Sequence, residues 1–454
     1  MAVIKFYGRE RELALLSRLR EPFFAVVYGR RRIGKTALVL KFLEGRDHLY
    51  FFVNPKKSSR ALLEEYGEAL REAMGLPSYV KPGSWEEFFD LLFKYRGVVA
   101  FDEFQWFIEV APEVPFILQK KWDLSKEKPS VVITGSVVGM VRRLVAEAGA
   151  PLFGRADLVL ELIELEPWAV FQWLSDMGVG REEAFKFYLL FGGVPYYYRL
   201  CHSWGIRAVE DAVRLLVAGE GGPLKTEPEV VLAESLGREY KTHLAILDAI
   251  ARGRTKLEEI ASYAGVKATS LTPYLKDLTE GLGLLVKYRG RRPYYQIRDR
   301  YYAFWLRAVY RWRDVAPEDR LLDHALRELE GFYPWAFEAA MREVVHLFYP
   351  VSKVAKEVVY VREGGLRRQI DVDIYAVNEE ARYVVLAEAK WGRADPAEEA
   401  ARLKKAAEAL APRGWEVRYA VFAREVEGGA PGVDAYDLEE IIERLSKPQT
   451  SAQT

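Results

Sequence analysis

Short apolar runs dominate the first 165 residues of the chain, and stretches of helical periodicity separate them. The runs lie at residues 23–28, 49–53, 98–104, 130–136 and 157–162. Apolar strands that alternate with helices are typical of a parallel sheet covered on both faces. The pattern therefore predicts an α/β domain at residues 1–165.

The rest of the chain predicts three further units and a tail, so the expected fold class is multidomain α/β. The second unit has helical periodicity broken by a Gly-Gly-Val-Pro turn, and the third shows three helices, two strands and a connecting helix. The fourth begins with a helix and continues with strands at 354–361, 368–377 and 382–389. The predicted boundaries are 1–165, 166–228, 229–330, 331–446 and a tail at 447–454.

Composition narrows the class of protein but names no partner. The 66 basic and 66 acidic residues cancel, so any surface for nucleic acid must be local. A single cysteine, Cys201, excludes a disulfide framework and favours a reducing, cytoplasmic location. No apolar run reaches the length of about 18 residues that a membrane span needs, so no membrane partner is expected. Only two asparagines occur, which is typical of a thermophile.

The sequence GRRRIGKT at 29–36 follows the first strand and precedes a helical pattern. In that context glycines let backbone N–H groups approach phosphate oxygens, and the helix N-terminus adds partial positive charge. Lys35 is expected to bridge the β- and γ-phosphates of ATP, and Thr36 to bind Mg²⁺. The alternative is a Gly-rich turn with incidental basic residues. The predicted nucleotide-binding residues here are Gly29, Arg30, Arg31, Arg32, Ile33, Gly34, Lys35, Thr36 and Ala37.

Polar residues that follow the later strands predict the remaining catalytic groups. Asp102 is expected to hold Mg²⁺, and Glu103 to orient and deprotonate the attacking water. A solvated acidic strand end is the alternative for this pair. Ser136 is a candidate sensor of the γ-phosphate or else part of a simple turn. Arg155 either offers a cation to that phosphate or is an ordinary surface arginine.

Several motifs together resemble the archaeal ATPase family, a member of the STAND class related to the AAA+ ATPases. They are FYGRERELALL (6–16), YGRRRIGKTALV (28–39), FDEFQW (101–106), ITGS (133–136), PLFGRADL (151–158) and GGVPYY (192–197). The resemblance covers about 230 residues and implies an ATPase core followed by a helical lid. It also implies that residues 6–10, including Gly8 and Arg9, border an adenine pocket and that Pro195 packs on the base.

Residues 243–288 predict a winged helix-turn-helix, with a recognition helix at 268–280 and a basic wing turn at 289–293. Small polar and basic residues beside a basic wing suit insertion into a major groove with clamping of phosphates. Such domains also serve as protein-docking modules, and that alternative stays open. The DNA-contact candidates are Lys267, Thr269, Ser270, Thr272, Tyr274, Lys276, Arg289, Arg291 and Arg292.

The C-terminal unit carries acidic and basic residues on two adjacent predicted strands. Asp373 lies on one strand, while Glu388 and Lys390 face the same side of the next. Two carboxylates and a lysine can hold Mg²⁺ or Mn²⁺ and activate a water, with Glu338 as a further metal ligand. The pattern resembles the PD-(D/E)XK nuclease fold. A surface hairpin linked by salt bridges is the alternative.

Taken together, the sequence predicts a Mg²⁺-dependent switch that binds ATP and ADP, hydrolyses ATP and acts on DNA through the winged helix and the nuclease-like domain. The alternative is a STAND-type signalling ATPase whose later domains dock protein partners without nuclease activity. The oligomeric state is not determined by these patterns.

Overall fold

The computed structural model describes residues 5–145, 149–254, 256–288, 294–363 and 366–448. The chain divides into two compact units, residues 1–165 with 276–283 and residues 166–275 with 284–454. Within the described ranges, no helix is both long enough and apolar enough to cross a membrane.

The first unit contains the parallel sheet that the apolar runs predict. Its five strands lie in the order β2-β3-β4-β1-β5, and every neighbouring pair is parallel. Because β1, β3 and β4 are buried along their whole length, the central strands are apolar on both faces, as predicted. The strands are β1 Phe24–Tyr28, β2 His48–Phe52, β3 Val98–Asp102, β4 Ser130–Gly135 and β5 Leu158–Glu161.

Helices cover this sheet on both sides. One face packs an aromatic cluster that includes Phe51, Tyr66 and Phe101, and the other face packs Leu38 and Phe42 of the helix after β1. The helices are α1 Glu10–Ser17, α2 Lys35–Leu43, α3 Ser59–Ala73, α4 Trp85–Leu92, α5 Phe107–Val110, α6 Val114–Leu124 and α7 Val138–Val145. Since parallel strands share one carboxyl edge, the residues after β1, β3 and β4 come together there.

The second unit begins with helices joined by buried polar contacts. The fully buried guanidinium of Arg300 donates to the carbonyl oxygen of Tyr188 at 3.0 Å and to Glu343 at 2.6 Å, which ties α9 to α16 and α17. The helices up to the winged-helix segment are α8 Pro167–Asp176, α9 Arg181–Phe191, α10 Pro195–Ser203, α11 Val209–Ala212 and α12 Glu227–Leu236. Those that follow are α13 Tyr240–Ala251, α14 Leu257–Ala264, α15 Leu271–Lys276, α16 Arg300–Ala308 and α17 Glu318–Val344.

Helices α13 to α15 and two antiparallel strands occupy the segment predicted as a winged helix. The strands are β6 Leu285–Tyr288 and β7 Tyr294–Ile297. The predicted recognition helix is shorter than expected, because a 3₁₀ turn precedes α15 and a wide turn follows it. Leu257, the first residue of α14, is exposed. The wing residues Arg289, Arg291 and Arg292 lie outside the described residues.

A second five-stranded sheet forms the C-terminal part, in the order β12-β11-β10-β9-β8. Strands β8, β9 and β10 are antiparallel, and α18 connects β10 to the parallel strand β11. The elements are β8 Lys353–Glu363, β9 Leu366–Asn378, β10 Tyr383–Ala394, α18 Pro396–Leu410, β11 Glu416–Val426, β12 Val433–Tyr436 and α19 Leu438–Leu445.

The predicted domain boundary between residues 330 and 331 falls inside helix α17. Gly331 and Pro334 lie inside this helix, although both residue types disfavour a helix interior. The helix instead continues through them, since Leu329, Phe332 and Phe337 extend one buried apolar stripe. Burial of this stripe outweighs the unfavourable local propensity.

Candidate functional site

Two glycines shape the loop between β1 and α2. A Cβ atom added at Gly29 would lie 2.3 Å from the backbone oxygen of Leu162, so only glycine fits where β1 leaves the sheet. Gly34 has φ 94°, which favours glycine, and it is the N-cap of α2. The loop therefore ends with the N-terminus of a helix at the carboxyl edge of the sheet. That geometry suits an anion such as phosphate.

Two arginines brace this loop against the segment after β5. The buried guanidinium of Arg9 donates to the carbonyl oxygens of Ile33, at 3.1 Å, and Ile163, at 2.6 Å. Arg30 forms an ion pair with Glu164, with 3.1 Å between its Nη2 and a carboxylate oxygen. These contacts make Arg9 a brace of the loop, and its place beside an adenine pocket stays a prediction.

The other predicted residues of the loop differ in exposure. Gly8, with φ 65°, precedes Arg9, and Arg32 also has a positive φ of 69°. Thr36 and Ala37 are exposed in the first turn of α2, whereas Ile33 is buried in the core. The loop thus combines a buried anchor with an exposed helix start, where a phosphate has room to bind.

Lys35 is buried, and its ammonium donates to the carbonyl oxygen of Arg30 at 3.0 Å. Burial lowers the pKa of Lys35 to about 8, and Arg31 adds to this, although Glu103 and Asp102 oppose the shift. The negative charges near Lys35 therefore compensate only part of the unfavourable effect of burying its ammonium. Phosphate oxygens beside the ammonium would supply the missing negative charge.

Three hydroxyl groups hold the buried carboxylate of Asp102. Thr36 donates to its Oδ2 atom at 2.7 Å, and Tyr50 donates to the same atom at 2.5 Å. Thr134 donates to Oδ1. Burial and the contact with Asp102 raise the pKa of Tyr50 well above its usual range, so Tyr50 remains a donor. The structure therefore brings together the two predicted metal ligands, Thr36 and Asp102.

Tyr50 was not among the candidates from the sequence. Its signal was a hydroxyl group inside the apolar run of β2, where the side chain alternates away from Leu49 and Phe51. The pairing of β2 with β3 brings Tyr50 near Asp102, and that pairing is not visible in the sequence.

Glu103 adopts a left-handed backbone conformation, with φ 59° and ψ 39°. Its backbone N–H donates to the hydroxyl of Thr134 at 3.2 Å. The Oε2 atom of its carboxylate accepts from the amide of Gln105 at 2.5 Å and from the hydroxyl of Ser136. Ser136, predicted as a γ-phosphate sensor, thus contacts Glu103 directly.

Arg155, predicted to offer a cation to the γ-phosphate, is paired elsewhere on the first unit. Its Nε atom donates to Asp123 at 2.9 Å, and its Nη2 atom donates to the second carboxylate oxygen at 2.7 Å. This two-point geometry is the stronger form of the arginine–carboxylate pair. A phosphate would have to compete with Asp123 for this guanidinium.

The remaining candidates for nucleotide and DNA contacts lie in the second unit, except Lys276, which belongs to the first. Pro195 is the first residue of α10, a position that suits proline because no helical N–H is lost. The side chain of Tyr274 is half-buried against the ring of His243, 4.9 Å between centroids. The exposed DNA-contact candidates are Lys267, Thr269, Ser270, Thr272 and Lys276.

The C-terminal sheet brings the predicted acidic residues into one cluster with a lysine that the sequence did not suggest. The ammonium of Lys356 donates to Glu338 at 2.8 Å and to Asp373 at 2.9 Å. Although burial lowers the pKa of Lys356, the carboxylates of Asp373 and Glu338 raise it above its ordinary value. The backbone N–H of Ala389 also donates to Asp373, at 3.2 Å, which places β9 and β10 side by side at this point.

The other predicted residues of this cluster pair with side chains of α18. Arg402 forms ion pairs with Glu388 and Glu399, and Lys390 pairs with Glu399. Burial, followed by the nearby charge of Asp373, raises the pKa of Glu388 to about 8, although Arg402 opposes the shift. The predicted carboxylates are therefore largely neutralised by cations of the same domain.

A metal ion was predicted at Glu338, Asp373 and Glu388. Within the part of the chain that the structure describes, no three His, Cys, Asp or Glu residues are grouped so that they could hold a metal. The physical reason is that the Lys356 ammonium lies between Glu338 and Asp373. As they stand, these side chains do not fit a divalent cation.

Comparison with known proteins finds a similarity in the first part of the chain. Residues 6–198 match the family model of an ATPase domain that occurs predominantly in Archaea. The match includes the glycine-rich loop, the Asp102–Glu103 pair and the segment up to α10.

The matched segment and the segments after it are also similar to individual proteins. An uncharacterized protein of Methanocaldococcus jannaschii is 28% identical over 411 residues, which cover 85% of this chain and 87% of that protein. The Walker-type ATPase of Pyrococcus abyssi has the same fold, with a TM-score of 0.50 and 21% identity over 66% of this chain and 96% of its own. The ORC2 protein of Aeropyrum pernix aligns with a TM-score of 0.43 and 17% identity over 72% of this chain and 95% of its own.

Proposed function

We propose that the chain is a Mg²⁺-dependent ATP-hydrolysing switch that acts on DNA. The observation that carries the ATP part is the hydrogen bond from Thr36 to Asp102, which joins the helix after the glycine-rich loop to the end of β3. A hydroxyl and a carboxylate side by side are ligands that Mg²⁺ accepts. The ATPase family of residues 6–198 supports the same activity.

The residues present fit a magnesium nucleotide. Backbone N–H groups from Gly29 to Ala37 would hold the phosphates, and Lys35 would contact the β- and γ-phosphates. Thr36 and Asp102 would hold Mg²⁺, which would neutralise charge on the phosphates when bound. Glu103 would orient a water molecule and accept its proton.

A helical lid at residues 166–228 and an adenine pocket near Gly8 complete the proposed nucleotide site. Pro195 begins α10 within that lid and is proposed to pack on the adenine. Binding of ATP would favour the lid arrangement that contacts the nucleotide. The size of this shift in the equilibrium is limited by the difference in ATP affinity between the two lid arrangements. The measurement is ATP hydrolysis by wild type, Lys35→Ala and Glu103→Gln. Full activity in either variant would contradict the proposal.

DNA is the partner that we propose for the winged-helix segment. Support comes from the exposed Lys267, Thr269 and Thr272 around the start of α15 and from a turn and helix of the expected order. Lysine contacts to phosphates release counterions, so binding should weaken steeply as salt rises. The experiment is a DNA-binding titration at several salt concentrations with wild type and Lys267→Ala. Lack of DNA binding would favour the signalling alternative, in which this segment docks a protein.

Cleavage of DNA is a second candidate function. The observation in its favour is the cluster in which Asp373 and Glu388 lie on neighbouring strands with Lys390 on the same strand as Glu388. The arrangement would need Lys356 to leave Asp373 before a divalent cation entered. Linear and branched DNA should be tested with Mg²⁺ or Mn²⁺, with and without ATP, beside Asp373→Ala and Lys390→Ala. Cleavage that survives both substitutions would come from another source.

A further inference from the structure

We propose that Gln105 is a positioning residue for Glu103 and that it works together with Ser136. This inference rests on the proposed ATPase function and adds a residue to its hydrolytic step. Its basis is a closed set of contacts at the ends of β3 and β4, in which two side chains bind one oxygen of the Glu103 carboxylate.

Both donors bind the same atom of Glu103. The Gln105 amide donates to Oε2 at 2.5 Å, and the Ser136 hydroxyl donates to that oxygen as well. Gln105 also lies 3.5 Å from the Ser136 hydroxyl, so the three side chains form a triangle. Within the described part of the chain, Oε1 of Glu103 has no hydrogen bond. The arrangement thus fixes one oxygen and leaves the other available to a water molecule.

The position of Glu103 agrees with a role in hydrolysis. Glu103 follows Asp102, whose carboxylate accepts from Thr36 in the first turn of α2. The hydroxyl of Thr134 donates to Asp102 and accepts from the backbone N–H of Glu103. Both acidic residues are therefore held at the same edge of the sheet as the glycine-rich loop.

Gln105 buries a polar atom without a hydrogen bond, which is unfavourable and is not explained by packing alone. It is fully buried, yet its carbonyl oxygen has no hydrogen-bond partner among the residues that the structure describes. Turning the amide over would place that oxygen against the Glu103 carboxylate, so the contact with Glu103 fixes the orientation. Buried polar atoms without a partner are uncommon and often mark a functional site. An apolar side chain of the same size would fill the space at no such cost.

The end of β4 is shaped to accommodate this side chain. A Cβ atom on Gly135 would lie 2.2 Å from Cγ2 of Val141 and 2.7 Å from the carbonyl oxygen of Gln105, so glycine leaves space for both side chains. The neighbours on either side are donors, because Thr134 binds Asp102 and Ser136 binds Glu103. Thr134 and Ser136 therefore bind the carboxylates of Asp102 and Glu103, and Gly135 between them leaves space for Gln105.

The decisive variant is Gln105→Met, which keeps the volume and removes both the amide donor and the unpartnered oxygen. We expect its kcat for ATP to fall by about 10-fold or more, because misplacement of a catalytic group is costly. Its KM and its affinity for ATP should remain within about twofold of wild type, because the hydrogen bonds of Gln105 go to Glu103 and Ser136 and not to the loop that binds phosphate. Its urea midpoint should change little, since removal of the buried unpartnered oxygen offsets the loss of a donor to the partly exposed Glu103 carboxylate.

A double-mutant cycle separates this role from a general effect on folding. Glu103→Gln should lose about 100- to 10,000-fold in kcat, and adding Gln105→Met should then change little. A wild-type kcat in Gln105→Met, or a full additional loss in the double variant, would overturn the positioning role while the ATPase function stands. Absence of hydrolysis by the wild-type protein would overturn the proposed function and this inference together.

Discussion

The hydroxyl of Thr36 donates a hydrogen bond to the carboxylate of Asp102 across 2.7 Å. Thr36 is the second residue of helix α2 and Asp102 is the last residue of strand β3, and 65 residues lie between them in the chain. Because Tyr50 and Thr134 donate to the same carboxylate, Asp102 is oriented before any ligand arrives. Such preorganisation lowers the entropy lost when a metal ion binds.

Removal of the Thr36 hydroxyl should weaken binding of magnesium nucleotide. Thr36→Ala is expected to lower the affinity for Mg²⁺-ATP by about 10- to 100-fold, because a ligand to the charged ion is lost. Thr36→Ser keeps the hydroxyl and should stay near wild type. Calorimetric titration with and without Mg²⁺ tests this. An equal loss in both variants, or a loss that is the same without the metal, would contradict the prediction.

Nucleotide binding above pH 8 should take up protons through Lys35. Its pKa is about 8 in the free site, mainly because of burial, whereas nearby phosphates would raise it. Between those two pKa values the free protein has lost a proton that the complex holds, so affinity should fall as pH rises above 8. Calorimetry of Mg²⁺-ADP binding at pH 8.5 in buffers of different ionisation enthalpy measures this uptake.

Lys35→Arg is the matched control for that measurement, because arginine remains charged throughout this range. Its binding heat should not include the proton uptake of Lys35. If wild type and Lys35→Arg take up the same number of protons, another group is responsible.

The Tyr50 hydroxyl should stabilise the nucleotide-free protein. Tyr50→Phe leaves the buried Asp102 carboxylate with one donor fewer and is expected to lower the free energy of unfolding by about 1–3 kcal/mol. Tyr79 is 82% exposed, so Tyr79→Phe should change it by less than about 0.5 kcal/mol. Urea denaturation of both variants provides the comparison. Similar values for the two would show that the contact contributes little.

Lys356 should stabilise the folded C-terminal part, because its ammonium compensates the charges of Glu338 and Asp373. Lys356→Met is expected to lower the free energy of unfolding by about 1–3 kcal/mol, because Glu338 and Asp373 then repel each other in a partly buried site. Lys353 on the same strand pairs with Glu379 in an exposed position, so Lys353→Met should cost less than about 1 kcal/mol. Thermal denaturation compares the two variants.

Binding of a divalent cation at this cluster can be tested in the same variants without a cleavage assay. If Mn²⁺ can replace the ammonium, it should raise the melting temperature of Lys356→Met much more than that of wild type. Adding Asp373→Asn to Lys356→Met should restore stability and remove the response to Mn²⁺. An unchanged melting temperature of Lys356→Met in Mn²⁺ would argue against a metal at this cluster.

Glu388 should make the C-terminal part less stable as pH rises. Its folded pKa of about 8 lies above the ordinary value of 4.5, chiefly because of burial. Between these values the folded chain holds a proton that the unfolded chain has lost. The stabilising effect of the protonated Glu388 side chain is therefore complete below pH 4.5, declines as pH rises and is lost near pH 8. Urea denaturation from pH 5 to 8 should show a shallower decline for Glu388→Gln. Parallel curves would contradict the assignment.

Much of the first unit was predictable from contiguous stretches of sequence. The five strands, the glycine-rich loop and the Asp102–Glu103 pair each occupy neighbouring residues whose pattern has a direct physical cause. In the C-terminal part, the three predicted strands exist, but β11, β12 and α18 were not predicted. The helix that begins at Glu318 continues through the predicted boundary between residues 330 and 331, because its buried apolar stripe does so.

The contacts that complete each site were harder to predict. Lys356 lies where the register of β8 and β9 shifts between Ala355 and Glu357, and such an irregularity re-aims a side chain in a way that alternation does not foresee. Arg402 reaches Glu388 from a helix that the sequence pattern did not reveal.

The sequence by itself determined where the parallel strands run and which loop can bind phosphate, because alternation, apolar runs and glycine positions act locally. Only the tertiary structure decided that Tyr50 and Thr134 hold Asp102, that Gln105 and Ser136 hold Glu103, and that Lys356 lies between Glu338 and Asp373. Most of these partners are far apart in the chain or turned by local irregularities of the backbone. Their meeting depends on strand order and register, which the packing of the whole domain sets.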